Sequence, residues 1–171
     1  MGTAQEAAAW VAYCNASPDS DVAIGKDARG RDWGTAGQWA RMRGKNGSPR
    51  AYGVTYWELG NEVFVHLKDV AAYVRTCRAF AQAMKAVDPG IRVGVVARDF
   101  DFALKVSPWN TTVLEGTKDV ADFLVHHFYL PGISGFDRDA NGQMTRRLSS
   151  TDVTRITLAS PDRFRRKLRD L

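Results

Sequence analysis

The sequence of 171 residues lacks the features that mark several classes of protein. No apolar run approaches the roughly 20 residues that a membrane-spanning helix needs. The opening residues 1–6 have neither the basic start nor the apolar stretch of a secretory signal peptide. We therefore expect no membrane partner. These features do not assign the protein to a cellular compartment.

Cysteine and histidine are also scarce. Cys14 and Cys77 both lie on apolar faces of predicted helices, where a small buried thiol is more common than a disulfide. The histidines are His66, His126 and His127, and the adjacent pair points to opposite sides of a predicted strand, so the two cannot easily share one ion. The sequence predicts no disulfide and no metal site, and no motif calls for a cofactor.

The formal charge of +5 is concentrated in a basic tail over residues 138–171. Such a tail can bind nucleic acid or an acidic surface. The sequence has no Gly-rich phosphate loop, no zinc-knuckle spacing and no aromatic RNA-binding signature to accompany it. A solvated helix face is the favoured interpretation, with no nucleic-acid partner.

The residues that are present indicate a soluble globular domain with alternating strands and helices, since 44% are hydrophobic and 25% charged. Strands are predicted at 52–60, 91–97 and 120–129. A helix predicted over 67–87 joins the first two strands and ends before Pro89, which cannot continue it. A helix between two strands is a βαβ crossover, which makes the strands parallel. The predicted fold class is therefore α/β.

A further helix is predicted near the N-terminus. Thr3 and Glu6 fit a capping box that starts the helix. The apolar spacing that follows predicts a buried stripe, made of Ala7, Trp10, Val11 and Cys14.

The other segments are predicted to be mostly loops. They comprise a loop over 17–50 with a short amphipathic helix at 35–43, a loop or short helix at 109–118, a loop over 131–151, and a helix that begins at Pro161.

The end of the first predicted strand carries the most informative chemistry. Gly60 weakens the strand, and the polar pair Asn61-Glu62 follows at once. In a parallel α/β barrel the residues at the C-terminal ends of strands line the active site, so Glu62 is a candidate catalytic carboxylate. Glu62 can instead be a polar residue that ends a strand and caps a helix. Glu58 lies inside the strand, where a paired or hydrogen-bonded carboxylate is the usual explanation.

Several motifs together resemble one enzyme family. The runs 57–62 and 2–15, the Gly-Arg-Asp-Trp segment at 30–33, and His127 with Tyr129 resemble α-L-arabinofuranosidases and their relatives among the clan A glycoside hydrolases. The resemblance implies a (β/α)8 TIM barrel. A complete barrel needs about 200 to 250 residues, so the chain is expected to be a partial barrel from about helix three to the start of helix six.

The resemblance also implies roles for individual residues. It implies retaining hydrolysis of terminal arabinofuranosyl or related pentosyl linkages in plant polysaccharides, with Glu62 as the general acid/base. Asn61 would hydrogen-bond the sugar hydroxyl next to the reacting carbon, while His127 and Tyr129 would orient the nucleophile and the substrate. From the residues alone, Asn61 can equally be a turn residue, and His127 and Tyr129 can be the polar tips of an amphipathic strand.

A retaining glycosidase needs a second carboxylate, about 5 to 5.5 Å from the first, as its nucleophile. In the clan this is a Glu that follows the His-x-Tyr, yet no Glu follows Tyr129 in these 171 residues. We therefore expect the isolated chain to be inactive. The alternative to an enzyme is a non-catalytic truncated barrel fragment or a carbohydrate-binding remnant, which self-associates through its open strand edges.

Overall fold

The computed structural model describes residues 2–67, 69–98, 108–127, 136–138, 144–162 and 165. These residues belong to two compact units. The first unit spans 1–98 and 108–126, and the second comprises 99–107 and 127–171.

A parallel three-stranded sheet lies at the centre of the first unit. Its strands are β1 (Tyr56–Leu59), β2 (Arg92–Val96) and β3 (Phe123–Val125), in the order β1-β2-β3. The crossover helix from β1 to β2 is α3 (Val70–Val87), and α4 (Pro108–Thr117) precedes β3. The α/β class and the parallel βαβ arrangement are thus confirmed.

The strands are shorter than predicted. Of the range 52–60, only Tyr56–Leu59 pairs with a neighbouring strand. The reason is a contact that lies outside the strand: the Asn15 side chain accepts from the Val54 amide and donates to the Val54 carbonyl, both at 2.8 Å. These bonds replace strand pairing at Val54. Residues 128–129 of the third predicted strand lie outside the described residues.

The hydrophobic core lies between the sheet and the helices of the first unit. Cys77, Ala81 and Met84 of α3 are buried in it, as their helical spacing predicts. The other buried members are Val11, Leu59, Val63, Tyr73, Ile91, Val93, Val95, Val96, Trp109 and Val113. Both cysteines are free thiols, and burial raises the pKa of Cys77 to about 11.

The N-terminal helix α1 (Ala4–Asn15) begins as predicted, with the Thr3 hydroxyl accepting from the Glu6 amide at 3.1 Å. Its predicted buried stripe is wrong at Trp10, which is 62% exposed. The helix packs against α2 (Ala36–Lys45) and α3 through small side chains. Those side chains are Ala8, Ala9, Val11 and Ala12. Alanines allow close helix approach, which leaves Trp10 on the outside.

One buried cation holds the loop between α1 and β1. Arg43, at the C-terminal end of α2, is only 1% exposed. Its guanidinium donates to the carbonyls of Tyr13 and Ala16 at one end of the loop and of Ser48 and Pro49 at the other. Buried donors of this kind require partners, and here every partner is a main-chain carbonyl.

The second unit contains elements that differ from the predicted loop over 131–151. Strands β4 (Phe136–Arg138) and β5 (Met144–Arg147) form an antiparallel pair with a bulge. Helix α5 (Ser150–Leu158) was not predicted; it lies before the helix predicted from Pro161, and Ser149 and Asp152 form a capping box at its start. The predicted helix from Pro161 lies largely outside the described residues. Among the helices that the structure describes, none combines the length and apolar character needed to cross a membrane.

Candidate active site

The turn at the end of β1 has an unusual backbone conformation. Gly60 has a φ of 98°, and Glu62 has φ 45° and ψ 38°, in the left-handed region. Among the described residues, Glu62 is the only one other than glycine with a positive φ. This conformation costs a side-chain-bearing residue roughly 1–2 kcal/mol. Such strain persists where the surrounding structure holds it, and functional sites are where it concentrates.

The sequence Gly60-Asn61-Glu62-Val63 encodes this turn. A side chain at Gly60 would be disfavoured by the positive φ and would also overlap Cγ1 of Val63. Val63 is buried, so it cannot move aside easily. It begins a 3-10 helix (Val63–Val65), in which the Val65 amide donates to the Glu62 carbonyl at 2.9 Å. The main chain of Glu62 is therefore fixed on both sides.

The two polar residues of the turn differ in exposure. Asn61 is exposed, and Glu62 is half-buried. Glu62 lies three residues beyond the last residue of β1, as expected for a strand-end carboxylate. Glu58 lies within β1 and is exposed. Asn61 and Glu62 thus both lie beyond the C-terminal end of β1.

A buried tyrosine braces the ends of β1 and β2. The Tyr73 hydroxyl donates to the Leu59 carbonyl at 2.7 Å and accepts from the Val96 amide at 2.8 Å. Its ring stacks on Trp109 with centroids 5.4 Å apart, and the Trp109 indole donates to the Val96 carbonyl at 3.2 Å. Burial raises the pKa of Tyr73, so the hydroxyl stays a neutral donor. Leu59, which Tyr73 holds through its carbonyl, directly precedes Gly60.

This role of Tyr73 was not predicted from the sequence. The signal was available, because Tyr73 lies three residues after Val70 and four before Cys77, within the apolar stripe of α3. A tyrosine in such a stripe needs a partner for its hydroxyl. The identity of that partner depends on tertiary packing and is absent from the local pattern.

Replacing Tyr73 by Phe is expected to destabilise the first unit by about 1–3 kcal/mol, because the buried Val96 amide loses its acceptor. The measurement is urea unfolding, with a lower midpoint and an unchanged slope. Tyr56→Phe is the matched control, since Tyr56 is 72% exposed and its loss of a hydroxyl is expected to change little. Equal midpoints for Tyr73→Phe and the parent chain would contradict the bracing role.

A second brace holds the end of β2. The buried Asn110 side chain accepts from the Arg98 amide at 2.8 Å and donates to the Arg98 carbonyl at 3.1 Å. The Ala97 amide donates to the Val125 carbonyl at the end of β3, at 2.8 Å. Parallel strands place their C-terminal ends at one edge of a sheet, so all three strand ends are held at the edge where Glu62 lies.

The predicted site residues do not all lie in the same unit of the structure, and one lies outside the described residues. Asn61 and Glu62 lie together in the first unit. His127 is half-buried and belongs to the second unit, and Tyr129 lies outside the described residues. The joint action of His127 and Tyr129 with Glu62 therefore stays a prediction. Within the part of the chain that the structure describes, no three His, Cys, Asp or Glu side chains are grouped to hold a metal ion.

Comparison with known protein families gives a match over most of the sequence. Residues 1–139 match the family described as "Alpha-L-arabinofuranosidase 1 domain". A probable α-L-arabinofuranosidase C of Aspergillus fumigatus is 31% identical over 102 residues, which are 57% of this chain and 17% of the relative. An intracellular exo-α-(1→5)-L-arabinofuranosidase of Halalkalibacterium halodurans is 24% identical over 135 residues, which are 77% of this chain and 26% of the relative.

Solved structures give a concordant result. The α-L-arabinofuranosidase of Thermotoga maritima, solved as an arabinose complex, aligns with a TM-score of 0.57 and 30% identity over 75% of this chain and 23% of that enzyme. A family 51 α-L-arabinofuranosidase of Thermotoga petrophila aligns with the same TM-score, identity and coverage. The chain thus spans between 17% and 26% of the length of these relatives.

Proposed function

Because this chain belongs to the α-L-arabinofuranosidase 1 domain family, we propose that it forms part of a (β/α)8 barrel in a retaining glycoside hydrolase, with Glu62 as the general acid/base. The substrates are terminal arabinofuranosyl or related pentosyl linkages of plant polysaccharides. The observation that carries this proposal is the fixed, left-handed turn that holds Glu62 at the C-terminal edge of the parallel sheet. No cofactor, nucleic acid or membrane has a part in it.

In the proposed mechanism Glu62 first protonates the glycosidic oxygen as the leaving group departs. A second carboxylate attacks the sugar carbon and forms a glycosyl-enzyme intermediate. Glu62 then takes a proton from the water that hydrolyses the intermediate. Asn61 binds the hydroxyl next to the reacting carbon, and His127 and Tyr129 orient the nucleophile and the substrate.

The geometry of the turn supports the role given to Glu62. A general acid must be held within hydrogen-bond reach of the leaving oxygen, and a rigid support for its backbone fixes that position before substrate binds. Gly60, Val63 and the Tyr73 brace provide such a support. An ordinary strand-end carboxylate does not require a strained backbone.

For residues 1–171 taken by themselves we propose a non-catalytic state. All four glutamates, Glu6, Glu58, Glu62 and Glu115, precede Tyr129, so the polypeptide has no Glu where the family places its nucleophile. β1 is an edge strand of the described sheet, and it carries the exposed Tyr56. Unpaired edges of this kind favour self-association of the isolated chain.

The test is a chimera in which residues 1–139 replace the matching segment of the Thermotoga maritima α-L-arabinofuranosidase. This chimera is expected to release 4-nitrophenol from 4-nitrophenyl α-L-arabinofuranoside, because its other segments supply the second carboxylate. Purified residues 1–171 are expected to release none above the buffer rate, and to sediment as oligomers.

A chimera that folds cooperatively and binds arabinose, yet shows no turnover, would refute the catalytic assignment. Turnover by residues 1–171 alone, as a monomer, would refute the proposed non-catalytic state. Parallel assays with 4-nitrophenyl β-D-xylopyranoside decide between arabinose and another pentose as the preferred sugar.

A further inference from the structure

An aromatic cleft lies between α1, α2 and the loop that precedes α2. It encloses about 330 Å³, close to the lower end of the range for ligand pockets. Its walls include Glu6, Trp10 and Tyr13 from α1, Arg31 from the loop, and Trp39 and Met42 from α2. The proposed mechanism gives no role to the cleft, although several of its lining residues belong to the runs 2–15 and 30–33.

The aromatic wall of the cleft is fixed before any ligand binds. Trp33 and Trp39 stack with centroids 5.8 Å apart, and the guanidinium carbon of Arg31 lies 3.9 Å from the Trp33 ring centroid. The Trp33 indole donates to Asp27 at 2.9 Å, and the Trp39 indole donates to the Trp33 carbonyl at 2.8 Å. Both indole N–H groups are thus satisfied internally. Trp33 is buried beneath its neighbours, and the half-buried Trp39 carries the accessible part of this wall.

Trp10 also lines the cleft, and its side chain is open to solvent. It is 62% exposed, whereas the buried residues of its helix are Ala8, Ala9, Val11 and Ala12. With Tyr13 and Trp39, which line the same cleft, Trp10 forms an aromatic slot. Such a slot is typical of sites that bind a flat ligand with apolar faces.

The charges at the cleft select a neutral ligand with hydroxyl groups. Glu6 provides carboxylate acceptors, and Arg31 provides guanidinium donors. Their opposite charges cancel, which favours neither an anion nor a cation. A sugar ring has C–H groups that pack on indole faces and hydroxyls that bond to both kinds of partner.

We propose that this cleft is a second carbohydrate site, which binds a neutral pentose oligosaccharide apart from Glu62. The choice of a pentose rests on the proposed function, whereas the choice of a neutral sugar rests on the cleft itself. The Val54 bonds of Asn15 place the end of α1 next to the start of β1. The Tyr13 end of the cleft therefore lies toward the start of β1, while Glu6 and Trp10 at its other end also line a pocket with Leu59 and Gly60 at the end of β1. The cleft can thus hold a neighbouring part of a polymer.

The test is a titration of ¹⁵N-labelled residues 1–171 with α-(1→5)-linked arabinotriose, with the indole N–H signals of the five tryptophans as the readout. The Trp10 and Trp39 signals are expected to shift, and that of the core residue Trp109 to stay. Trp10→Ala is expected to raise the dissociation constant about tenfold, as truncation of a central aromatic anchor does. Trp10→Phe keeps an aromatic face and is expected to retain most of the affinity.

Two controls separate this site from the proposed function. Tyr56→Ala removes another exposed aromatic ring and is expected to leave the affinity unchanged. Glu62→Gln is likewise expected to leave the Trp10 and Trp39 shifts unchanged, so the result does not depend on the catalytic assignment. Circular dichroism checks that each variant is folded.

Several outcomes would overturn the proposal. One is the absence of any shift at Trp10 and Trp39 up to the solubility limit of the trisaccharide. Another is equal affinity of the parent chain and Trp10→Ala. Equal binding of maltotriose would exclude a pentose site. A dimer that dissociates on the Trp10→Ala change, with no sugar response, would assign the cleft to a second copy of the chain.

Discussion

Replacing Glu62 by Gln in the chimera is expected to slow arabinofuranoside hydrolysis by about 100- to 10,000-fold, the range that a positioned general acid/base contributes. Glutamine has nearly the same size and keeps hydrogen-bonding capacity, so the turn is preserved. It cannot deliver or accept the proton. The measurement is the steady-state rate with a series of aryl α-L-arabinofuranosides.

The leaving group gives this test its specificity. A good leaving group, such as 2,4-dinitrophenolate, departs without protonation, so the first step in Glu62→Gln is expected to be slowed least for that substrate. Substrates with poor leaving groups need the proton and are expected to lose most. The pH profile of kcat/KM is expected to lose the limb that reports the acid. A loss of rate that is the same for every leaving group would indicate a purely structural effect.

Glu58→Gln is the matched control, because Glu58 lies four residues earlier, within β1, and is exposed. Its rate and pH profile are expected to equal those of the unmodified chimera. If Glu58→Gln lost the rate and Glu62→Gln kept it, the acid would be Glu58, and the turn at Glu62 would have only a structural role.

Replacing Gly60 by Ala is the second change with a large expected effect. The positive φ is expected to cost roughly 1–2 kcal/mol, and the overlap of the new Cβ with Val63 about 1–3 kcal/mol more. The sum is a large fraction of the stability of a small domain. Urea unfolding of residues 1–171 measures it, and in the chimera the same change is expected to reduce kcat by displacing Glu62.

Gly53→Ala separates the two contributions. Gly53 also has a positive φ, at 67°, but a Cβ there has no neighbour within 4 Å, so only the conformational cost applies. The double variant Gly60→Ala/Val63→Ala is expected to recover the part that comes from the overlap, seen as a coupling energy in a double-mutant cycle. Equal losses for Gly60→Ala and Gly53→Ala would show that Val63 does not constrain the turn.

The parallel sheet and its crossover were predictable from sequence, because they rest on local patterns. The α3 stripe of Cys77, Ala81 and Met84 and the stop before Pro89 each reflect neighbouring residues alone. The late start of β1 was not predictable, because Asn15 reaches Val54 across 39 positions. Trp10 was misplaced for a related reason: helical periodicity finds an apolar stripe but does not show which side the neighbouring helices cover.

The candidate site also has features that local sequence predicts and features that depend on tertiary contacts. Glu62 is predicted as a site residue from its position at a strand end and from a family motif, both of which are properties of a short segment. The Tyr73 and Asn110 braces and the stacked pair Trp33–Trp39 depend on partners that folding brings together. Sequence could flag these residues as polar or aromatic groups that need partners, but it could not name the partners.

The buried Arg43 has a consequence for how this part of the protein can change during evolution. The Arg43 side chain joins the carbonyls of Tyr13 and Ala16 to that of Pro49, so these two parts of the chain stay together as long as α2, which carries Arg43, is kept. The entropy of a closed loop grows only logarithmically with its length. Residues can therefore be gained or lost between Ala16 and α2 at little thermodynamic cost, without moving α1 relative to β1. The region is a natural place for lineages to diversify while the end of β1 stays as it is.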